Sequence, residues 1–262
     1  MALPIRATLT LIAKEAETGN LGIVTASRLT AGGAFIPFLN GGIGAVATQN
    51  LPEPRIASVM LEDLSAGVDP QAALERALRF FGWADQRQVG LVVALPQDGQ
   101  LPALAFTGQN CLPWCGHRVH NDLVVLGNGL TGENVLITAE SAFLGSPSPH
   151  LAERLIEGLL AGEVADCPDA ALPGLREEGF QDMPRALTES GSMADFDKEM
   201  AQASRSPDQE HPEKPLPKCS ASIKVVGGQA FQTPLLDLRV DDHERAANEL
   251  HRVWILFQRM NA

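Results

Sequence analysis

Segments that favour strands and segments that favour helices come in groups along this chain, and this order most constrains the fold. A hairpin and a strand precede two helices, the same succession occurs again, and a last hairpin and helix follow. A doubly wound parallel sheet would instead need strands and helices to alternate one by one. The order therefore predicts the α+β class, as a four-layer αββα sandwich with two antiparallel sheets inside and helices outside.

The first hairpin, residues 8–28, shows the strand pattern most clearly. The segment TLTLIAK has period two, with Leu9, Leu11 and Ala13 on one face and Thr8, Thr10, Ile12 and Lys14 on the other. Gly19-Asn20 can take the positive φ values of a tight turn, after which LGIVTAS restarts the strand. The residues alone predict a structural hairpin that begins at Thr8.

Charge excludes two classes of partner. The net charge is −12, so nucleic acid and anionic membrane surfaces would be repelled. No apolar run approaches the roughly 18 residues of a membrane span. We therefore expect neither nucleic acid nor membrane as a partner.

The acidic residues are concentrated in one part of the chain. Residues 163–213 contain thirteen Asp and Glu against four Lys and Arg, together with many prolines and glycines. The periodic pattern also stops there. We predict one domain over residues 1–262, with an acidic, Pro/Gly-rich surface insertion at about 166–217.

The four cysteines and the N-terminal residues favour the cytoplasm. Four cysteines in 262 residues do not make a disulfide framework. The start, MALPIRATLTLIA, lacks the apolar core and the cleavage site of a signal peptide.

Two patterns suggest a cofactor or a metal, and neither is favoured. Gly127–Gly132 matches G-x-G-x-x-G, but a dinucleotide site also needs a parallel strand after the helix, and a second helix follows instead. Cys111, Cys115, His117 and His120 are metal ligands by residue type. Four ligands within ten residues would be strained, because structural zinc sites draw on two separated pairs. We predict no metal and no cofactor.

The chain also lacks the G-x-S-x-G motif of serine hydrolases. Asp241-Asp242-His243-Glu244 resembles a catalytic cluster. We interpret it as the start of the last helix, because Asp241 and Glu244 have the spacing of a capping box. Thr131 is predicted to cap an earlier helix.

Seven segments together resemble a bacterial family of uncharacterised proteins similar to N-terminal nucleophile (Ntn) hydrolases. They are TLTLIAKEAETGNLGIVTAS, GGIGAVATQN, RQVGLV, FTGQNCLPWCGHRV, LGNGL, LAERLIEGLLAGE and LDLRVDDH. They occur in order along almost the whole chain, apart from the acidic segment. The resemblance implies the same sandwich of two antiparallel sheets with outer helical layers.

The resemblance also gives Thr8 a chemical role. In the superfamily the first residue of the mature chain is Thr, Ser or Cys; its side chain attacks an amide carbonyl, and its own α-amine acts as base. By this analogy Thr8 would be the nucleophile. Asn128 and Gln49 would stabilise the oxyanion or orient the reacting groups. Ser27 and His117 would hold these residues in place from behind.

This sequence departs from the family pattern at three places. Residues 2–7 precede Thr8, so removal of Met1 alone would not expose its nitrogen. Cys115 stands where relatives tend to have a small residue, and the segment before Cys219 lacks the expected Gly- and Arg-rich stretch.

Two functions therefore stay open from the sequence. One is an Ntn-type amidohydrolase for a small amide or peptide. The alternative is a catalytically silent member that binds a small ligand or a protein partner in the same cleft. We also expect a homo-oligomer, because antiparallel edges and apolar helix faces often pair.

Overall fold

Ten strands and five helices are seen in the computed structural model, which describes residues 7–95, 102–166, 218–230 and 233–261. The strands are β1 (Thr8–Lys14), β2 (Leu21–Ser27), β3 (Pro37–Asn40), β4 (Gly44–Asn50), β5 (Arg87–Val93), β6 (Ala103–Thr107), β7 (Gly116–Val119), β8 (Leu123–Asn128), β9 (Ser220–Val226) and β10 (Leu236–Val240). The helices are α1 (Pro54–Ser65), α2 (Pro70–Phe81), α3 (Glu133–Gly145), α4 (Leu151–Asp166) and α5 (Ala246–Met260). Nearly all of the acidic segment at about 166–217 lies outside the described residues.

The strands form two antiparallel sheets. The larger sheet has the order β10-β9-β2-β1-β8-β7, and the smaller has β3-β4-β5-β6. In the larger sheet β1 lies between β2 and β8, and Thr8 is opposite Ser27 on one side and Asn128 on the other. The predicted α+β class with antiparallel sheets is confirmed.

Three apolar clusters hold four layers together. The first lies between the larger sheet and helices α3, α4 and α5, the second between the two sheets, and the third between the smaller sheet and helices α1 and α2. Representative residues, in that order, are Leu11 and Leu155, Ile12 and Val92, and Val46 and Met60. The order of layers is therefore helix, sheet, sheet, helix, as predicted.

The alternation predicted for β1 is also confirmed. Leu9 and Leu11 belong to the cluster beneath the helices, whereas Ile12 belongs to the cluster between the sheets. Thr8 and Thr10 have the parity of Ile12 and therefore face the smaller sheet. The space between the sheets is thus apolar around Ile12 and polar around the two threonines.

Two strands were not predicted, and both lie at sheet edges. β3 begins with Pro37, which has no N–H to donate and suits an edge. β7 has the sequence GHRV, with no apolar alternation, because neither of its faces is fully covered. Edge strands give a weaker periodic signal than buried ones, since water satisfies their side chains.

Two predicted helix starts are wrong. The last helix begins at Ala246, and its N-cap is Arg245 rather than Asp241. The third helix has Gly132 at its N-cap, because the N–H and hydroxyl of Thr131 both bind Asp166 Oδ1, at 2.8 and 3.0 Å. Among the described residues, no helix combines the length and apolar character needed to cross a bilayer.

A buried ion cluster joins the two ends of the chain that border residues 167–217. Lys218 Nζ lies 2.6 Å from Glu163 Oε1 and 2.7 Å from Asp166 Oδ2. Burial alone would lower the pKa of Lys218, but the two carboxylates hold it above its ordinary value. Asp166 ends α4 and Lys218 precedes β9, so the chain leaves and re-enters the core at one place.

Glu53 fixes the start of α1 next to the end of β4. Its buried carboxylate accepts hydrogen bonds from the backbone N–H of Arg55 at 3.0 Å and from the Arg55 side chain. Burial alone would raise the pKa of Glu53, but these hydrogen bonds and the charges of Arg55 and Arg87 lower it. The folded chain therefore holds this carboxylate ionised more strongly than the unfolded chain does.

We expect Glu53 to contribute to acid sensitivity. Because its folded pKa is below its ordinary value of 4.5, the contribution is fully present above pH 4.5 and is lost as the pH falls through the folded pKa. Glu53→Gln should lower the free energy of unfolding at neutral pH and make it fall less in acid. Urea unfolding at a series of pH values measures both effects. Glu62→Gln, an exposed change in the same helix, should keep the acid dependence of the unmodified chain.

A close approach of the sheets requires glycine at residue 90. A Cβ there would come within 3.0 Å of Ile12 Cδ1 and 3.2 Å of Leu126 Cδ1 and Cδ2, across the space between the sheets. Any larger side chain would push these apolar groups out of their packing.

Gly90→Val should therefore destabilise the fold by overpacking. We expect the free energy of unfolding to fall by about 1–3 kcal/mol, measured by urea or thermal unfolding. Gly145→Ala is the matched control, because no described atom lies within 4 Å of a Cβ at residue 145. Equal stability of the Gly90→Val protein and the unmodified chain would contradict this account of the packing.

Candidate functional site

Three of the five predicted site residues lie side by side in the larger sheet. Thr8 begins β1, Ser27 ends β2 and Asn128 ends β8, and the strand register places Thr8 between the other two. Gln49 lies on β4 of the smaller sheet, and His117 lies on the edge strand β7. The structure thus places all five at the polar end of the space between the sheets.

The Thr8 side chain is buried and bound to Ser27. Its Oγ1 lies 2.9 Å from Ser27 Oγ, and only 2% of the residue is exposed. Ser27 Oγ also accepts a hydrogen bond from the backbone N–H of Leu29 at 3.0 Å. The Thr8 and Ser27 hydroxyls are therefore hydrogen-bonded to each other at the start of β1, and either of them can be the donor.

The backbone around Thr8 has a defined direction. The Ala7 carbonyl accepts a hydrogen bond at 3.0 Å from the N–H of Arg28, which directly follows β2. In a trans peptide the C=O and the following N–H point to opposite sides. The N–H of Thr8 therefore points away from β2 and toward β8, where Asn128 is its partner in the register.

A chain of side-chain hydrogen bonds crosses from the larger sheet to the smaller one. Thr25 Oγ1 lies 2.8 Å from Thr10 Oγ1, which donates to Gln49 Oε1 at 2.7 Å. Gln49 Nε2 donates in turn to Gln88 Oε1 at 2.7 Å. All four side chains are buried and uncharged, so this part of the site contains amides and hydroxyls only.

Gln88 on β5 makes the largest number of these contacts. Its Oε1 accepts from Gln49 Nε2 and also from Asn128 Nδ2, the latter at 3.0 Å. Its Nε2, which has two protons, lies 3.0 Å from the carbonyls of Gly116 and Gly127 and 2.9 Å from Thr107 Oγ1. Gln88 therefore connects the smaller sheet to β7 and β8 of the larger sheet.

His117 lies at the exposed rim of this network. Its Nδ1 is 2.8 Å from Thr107 Oγ1, which itself binds Gln88. Partial burial lowers the pKa of His117 below its ordinary value of 6.5, so the neutral ring prevails at neutral pH. His117 thus reaches Asn128 only through Thr107 and Gln88.

The cysteines and histidines that could have bound a metal have other partners. The Cys111 thiol donates to the Arg87 carbonyl at 3.4 Å, and burial, together with the nearby Cys115, raises the pKa of Cys111 to about 12. His120 Nε2 binds Glu140 Oε1 at 2.8 Å, on the side of β7 that faces α3. Within the described ranges, no three His, Cys, Asp or Glu residues are grouped as a metal site.

The glycine pattern at residues 127–132 does not form a dinucleotide site. β8 has antiparallel neighbours on both sides, β1 and β7. The helix after it leads to a second helix, so the parallel βαβ unit that such a site requires is not formed here. A Cβ on Gly127 would lie 2.3 Å from Leu130 Cδ1, which explains a glycine at this position by packing.

Sequence reasoning missed Gln88, Thr10 and Thr107 as members of the site. Each is a polar residue on a strand face that packs against the other sheet. Such residues need buried partners, so a polar residue at an inward position is itself a signal. The signal was available at Gln88, which directly precedes the apolar run VGLVV in β5, but its partners depend on how the two sheets face each other.

Comparisons with known proteins identify a family and a similar fold among solved structures. A family model described as "Family of unknown function (DUF1028)" matches residues 8–166. The fold is similar to the crystal structure of protein SPO2555 from Silicibacter pomeroyi, which has the same family description. The TM-score is 0.70 at 20% sequence identity, covering 98% of this chain and 87% of that chain, so this likeness concerns the fold alone. No curated protein matches the chain.

A double-mutant cycle tests the bridge between the sheets. Thr10→Val and Gln49→Met each leave a buried polar partner unsatisfied, whereas the double variant removes both ends of the Thr10–Gln49 bond. We expect a coupling energy of about 0.5–3 kcal/mol from chemical unfolding. Thr10→Val combined with Ile56→Val, a change on the buried face of α1, should be additive within about 0.5 kcal/mol. If the coupling energy were the same for the Thr10–Gln49 pair as for the Thr10–Ile56 pair, the Thr10–Gln49 bond would make no specific contribution to the stability of the packed sheets.

Proposed function

We propose that this chain, which belongs to the DUF1028 family of unknown function, is an N-terminal nucleophile hydrolase that cleaves a small amide or peptide with Thr8. One observation carries the proposal: Thr8 heads the central strand, with its hydroxyl 2.9 Å from Ser27 and its N–H directed toward Asn128. The family match also begins at Thr8.

The reaction needs Thr8 to be the first residue of the chain. Its hydroxyl then attacks the amide carbonyl carbon, and its own α-amine takes the hydroxyl proton. The amide C–N bond breaks, the leaving amine takes that proton, and the acyl group stays on Thr8 as an ester. Water then hydrolyses the ester, which releases the acid and restores the hydroxyl.

The surroundings of Thr8 suit an amine that acts as a base. A free α-amine has a pKa of about 7.7–8.0, much closer to neutral pH than the roughly 10.4 of lysine. Burial among uncharged side chains disfavours the charged amine and moves its pKa toward neutrality. The amine and hydroxyl belong to one residue, so their relative geometry costs little to fix.

Ser27 would hold the Thr8 hydroxyl in position through their 2.9 Å contact. The Leu29 N–H donates to Ser27 Oγ and so fixes one of its lone pairs. The other lone pair and the proton of Ser27 Oγ are then available for the hydrogen bond with the Thr8 hydroxyl. Asn128 and Gln49 would orient groups or stabilise the oxyanion, and His117 would support them from the rim.

One observation favours the catalytically silent alternative. Ala7 is buried and its carbonyl accepts a hydrogen bond from the Arg28 N–H, a contact that a chain beginning at Thr8 would lose. A protein that kept residues 1–7 would lack the free amine, and the same polar cleft would then bind a small ligand or a protein partner without cleaving it.

Three broader expectations accompany this proposal. They are a single domain with the acidic segment as an insertion, a cytoplasmic location and a homo-oligomer. Lys218 and Asp166 support the first, because their contact at 2.7 Å brings the two ends of the segment together.

Removal of the nucleophile tests the proposal directly. Intact mass of protein purified from native cells should show the loss of residues 1–7. Thr8→Val keeps the shape of the side chain but lacks its hydroxyl, so we expect kcat/KM on N-acyl amides and dipeptides to fall by about 10⁴-fold or more. Thr8→Ser should retain a measurable part of the activity.

Thr18→Val, in the exposed turn between β1 and β2, is the matched control and should leave activity unchanged. A full-length mass together with no hydrolysis of any amide in the panel would favour the silent alternative. Equal activity of the Thr8→Val protein and the unmodified chain would reject Thr8 as the nucleophile.

A further inference from the structure

The hydrogen bonds of Gln88 determine which way two neighbouring amides point. The oxygen and nitrogen ends of an amide have similar shapes, so their assignment follows from the partners. The carbonyls of Gly116 and Gly127 can only accept hydrogen bonds, and both lie 3.0 Å from one end of the Gln88 amide. That end must therefore be the nitrogen, Nε2.

The opposite end of Gln88 is then an acceptor, and it fixes its own two partners. Gln49 approaches Oε1 at 2.7 Å and Asn128 approaches it at 3.0 Å. Both must present their nitrogens, because an oxygen would meet another oxygen. Two backbone carbonyls thus set the orientation of three side-chain amides through Gln88.

The oxygens of Gln49 and Asn128 do not bind Gln88, and among the described residues only the Gln49 oxygen has a partner. Gln49 Oε1 accepts from Thr10 Oγ1 at 2.7 Å. Asn128 Oδ1 is fully buried and has no hydrogen-bond partner among the described residues. A buried acceptor of this kind usually has a donor in the functional state.

We infer that Gln88 is a positioning residue that holds Asn128 Oδ1 as the acceptor for the α-amine of Thr8. Three observations meet here: Asn128 is directly opposite Thr8, so that both side chains lie on the same face of the sheet, its amide nitrogen is already bound to Gln88, and its Oδ1 is buried without a partner among the described residues. This inference rests on the proposed function, because the amine is free only when residues 1–7 are removed.

The same geometry argues against Asn128 as the principal oxyanion donor. An oxyanion carries negative charge and needs N–H or O–H donors aimed at it. Because the Asn128 nitrogen is bound to Gln88, the group that Asn128 has left to offer is an oxygen, which would repel an oxyanion and attract an ammonium group. Asn128 therefore holds the amine beside the hydroxyl that it must deprotonate.

The role of Gln88 can be tested in the full-length chain, without substrate. NMR of the Asn128 side-chain amide, assigned by its loss in Asn128→Asp, should show NH₂ protons protected from exchange with solvent. Gln88→Met removes the acceptor, so we expect their exchange to accelerate by about tenfold or more. Gln86→Met, at a buried glutamine just before β5 whose side chain lies outside this network, should leave the exchange unchanged.

If Gln88→Met does not fold, Gln88→Leu serves the same test, because leucine also lacks an acceptor for the Asn128 amide. Unchanged exchange of the Asn128 amide in a folded Gln88 variant would overturn the positioning role.

The acceptor role of Asn128 is tested by the pKa of the Thr8 amine, measured by ¹⁵N NMR in protein whose intact mass shows Thr8 as the first residue. Asn128→Asp should raise that pKa by about 1 unit or more, since it places a carboxylate beside the amine. Asn128→Leu should lower it, and Gln88→Met should shift it in the same direction as Asn128→Leu.

An amine pKa that is equal in all these proteins would overturn the inference. Amide hydrolysis that depends on Thr8 would still support the proposed function in that case. A shifted pKa without hydrolysis would support the inference and reject the hydrolase.

Discussion

The hydrogen bond from Thr10 to Gln49 joins the two sheets at their polar end, and the arrangement of the site depends on it. The larger sheet contributes hydroxyls from β1 and β2, and the smaller sheet contributes amides from β4 and β5. Close approach around Gly90 brings these groups within reach of one another. These amides and hydroxyls are buried, and a buried polar group without a partner is costly. Their hydrogen bonds therefore favour the relative position of the two sheets in which each group finds its partner.

The elements that the sequence predicted well are those whose signal is local. The alternation in β1 assigned Thr8 and Thr10 to the face opposite Leu9 and Leu11, and the structure places Leu9 and Leu11 beneath the helices and Ile12 between the sheets. Helix starts at Thr131 and Asp241 were wrong, because a distant residue, Asp166, takes the donors of Thr131 and because Arg245 precedes the last helix.

In the candidate site, too, contacts within one hairpin were predictable from the sequence, and contacts between distant strands were not. Thr8 and Ser27 lie at the two ends of one hairpin, so their pairing follows from the turn between them. The contact between Thr8 and Asn128 joins residues far apart in sequence, and only the family resemblance suggested both. Gln88 was missed because its partners come from β4, β7 and β8 at once, and no pattern within β5 indicates which strands will face it.

The ion cluster at Lys218 has a consequence for how the length of this chain can vary. Asp166 and Lys218 are held together inside the core, so the two ends of the 51-residue segment between them are fixed by a contact between residues outside that segment. The entropy of closing a flexible loop changes by only about 0.6 kcal/mol for each doubling of its length. Evolution could therefore lengthen, shorten or rewrite this segment while the strand that carries Thr8 keeps its place.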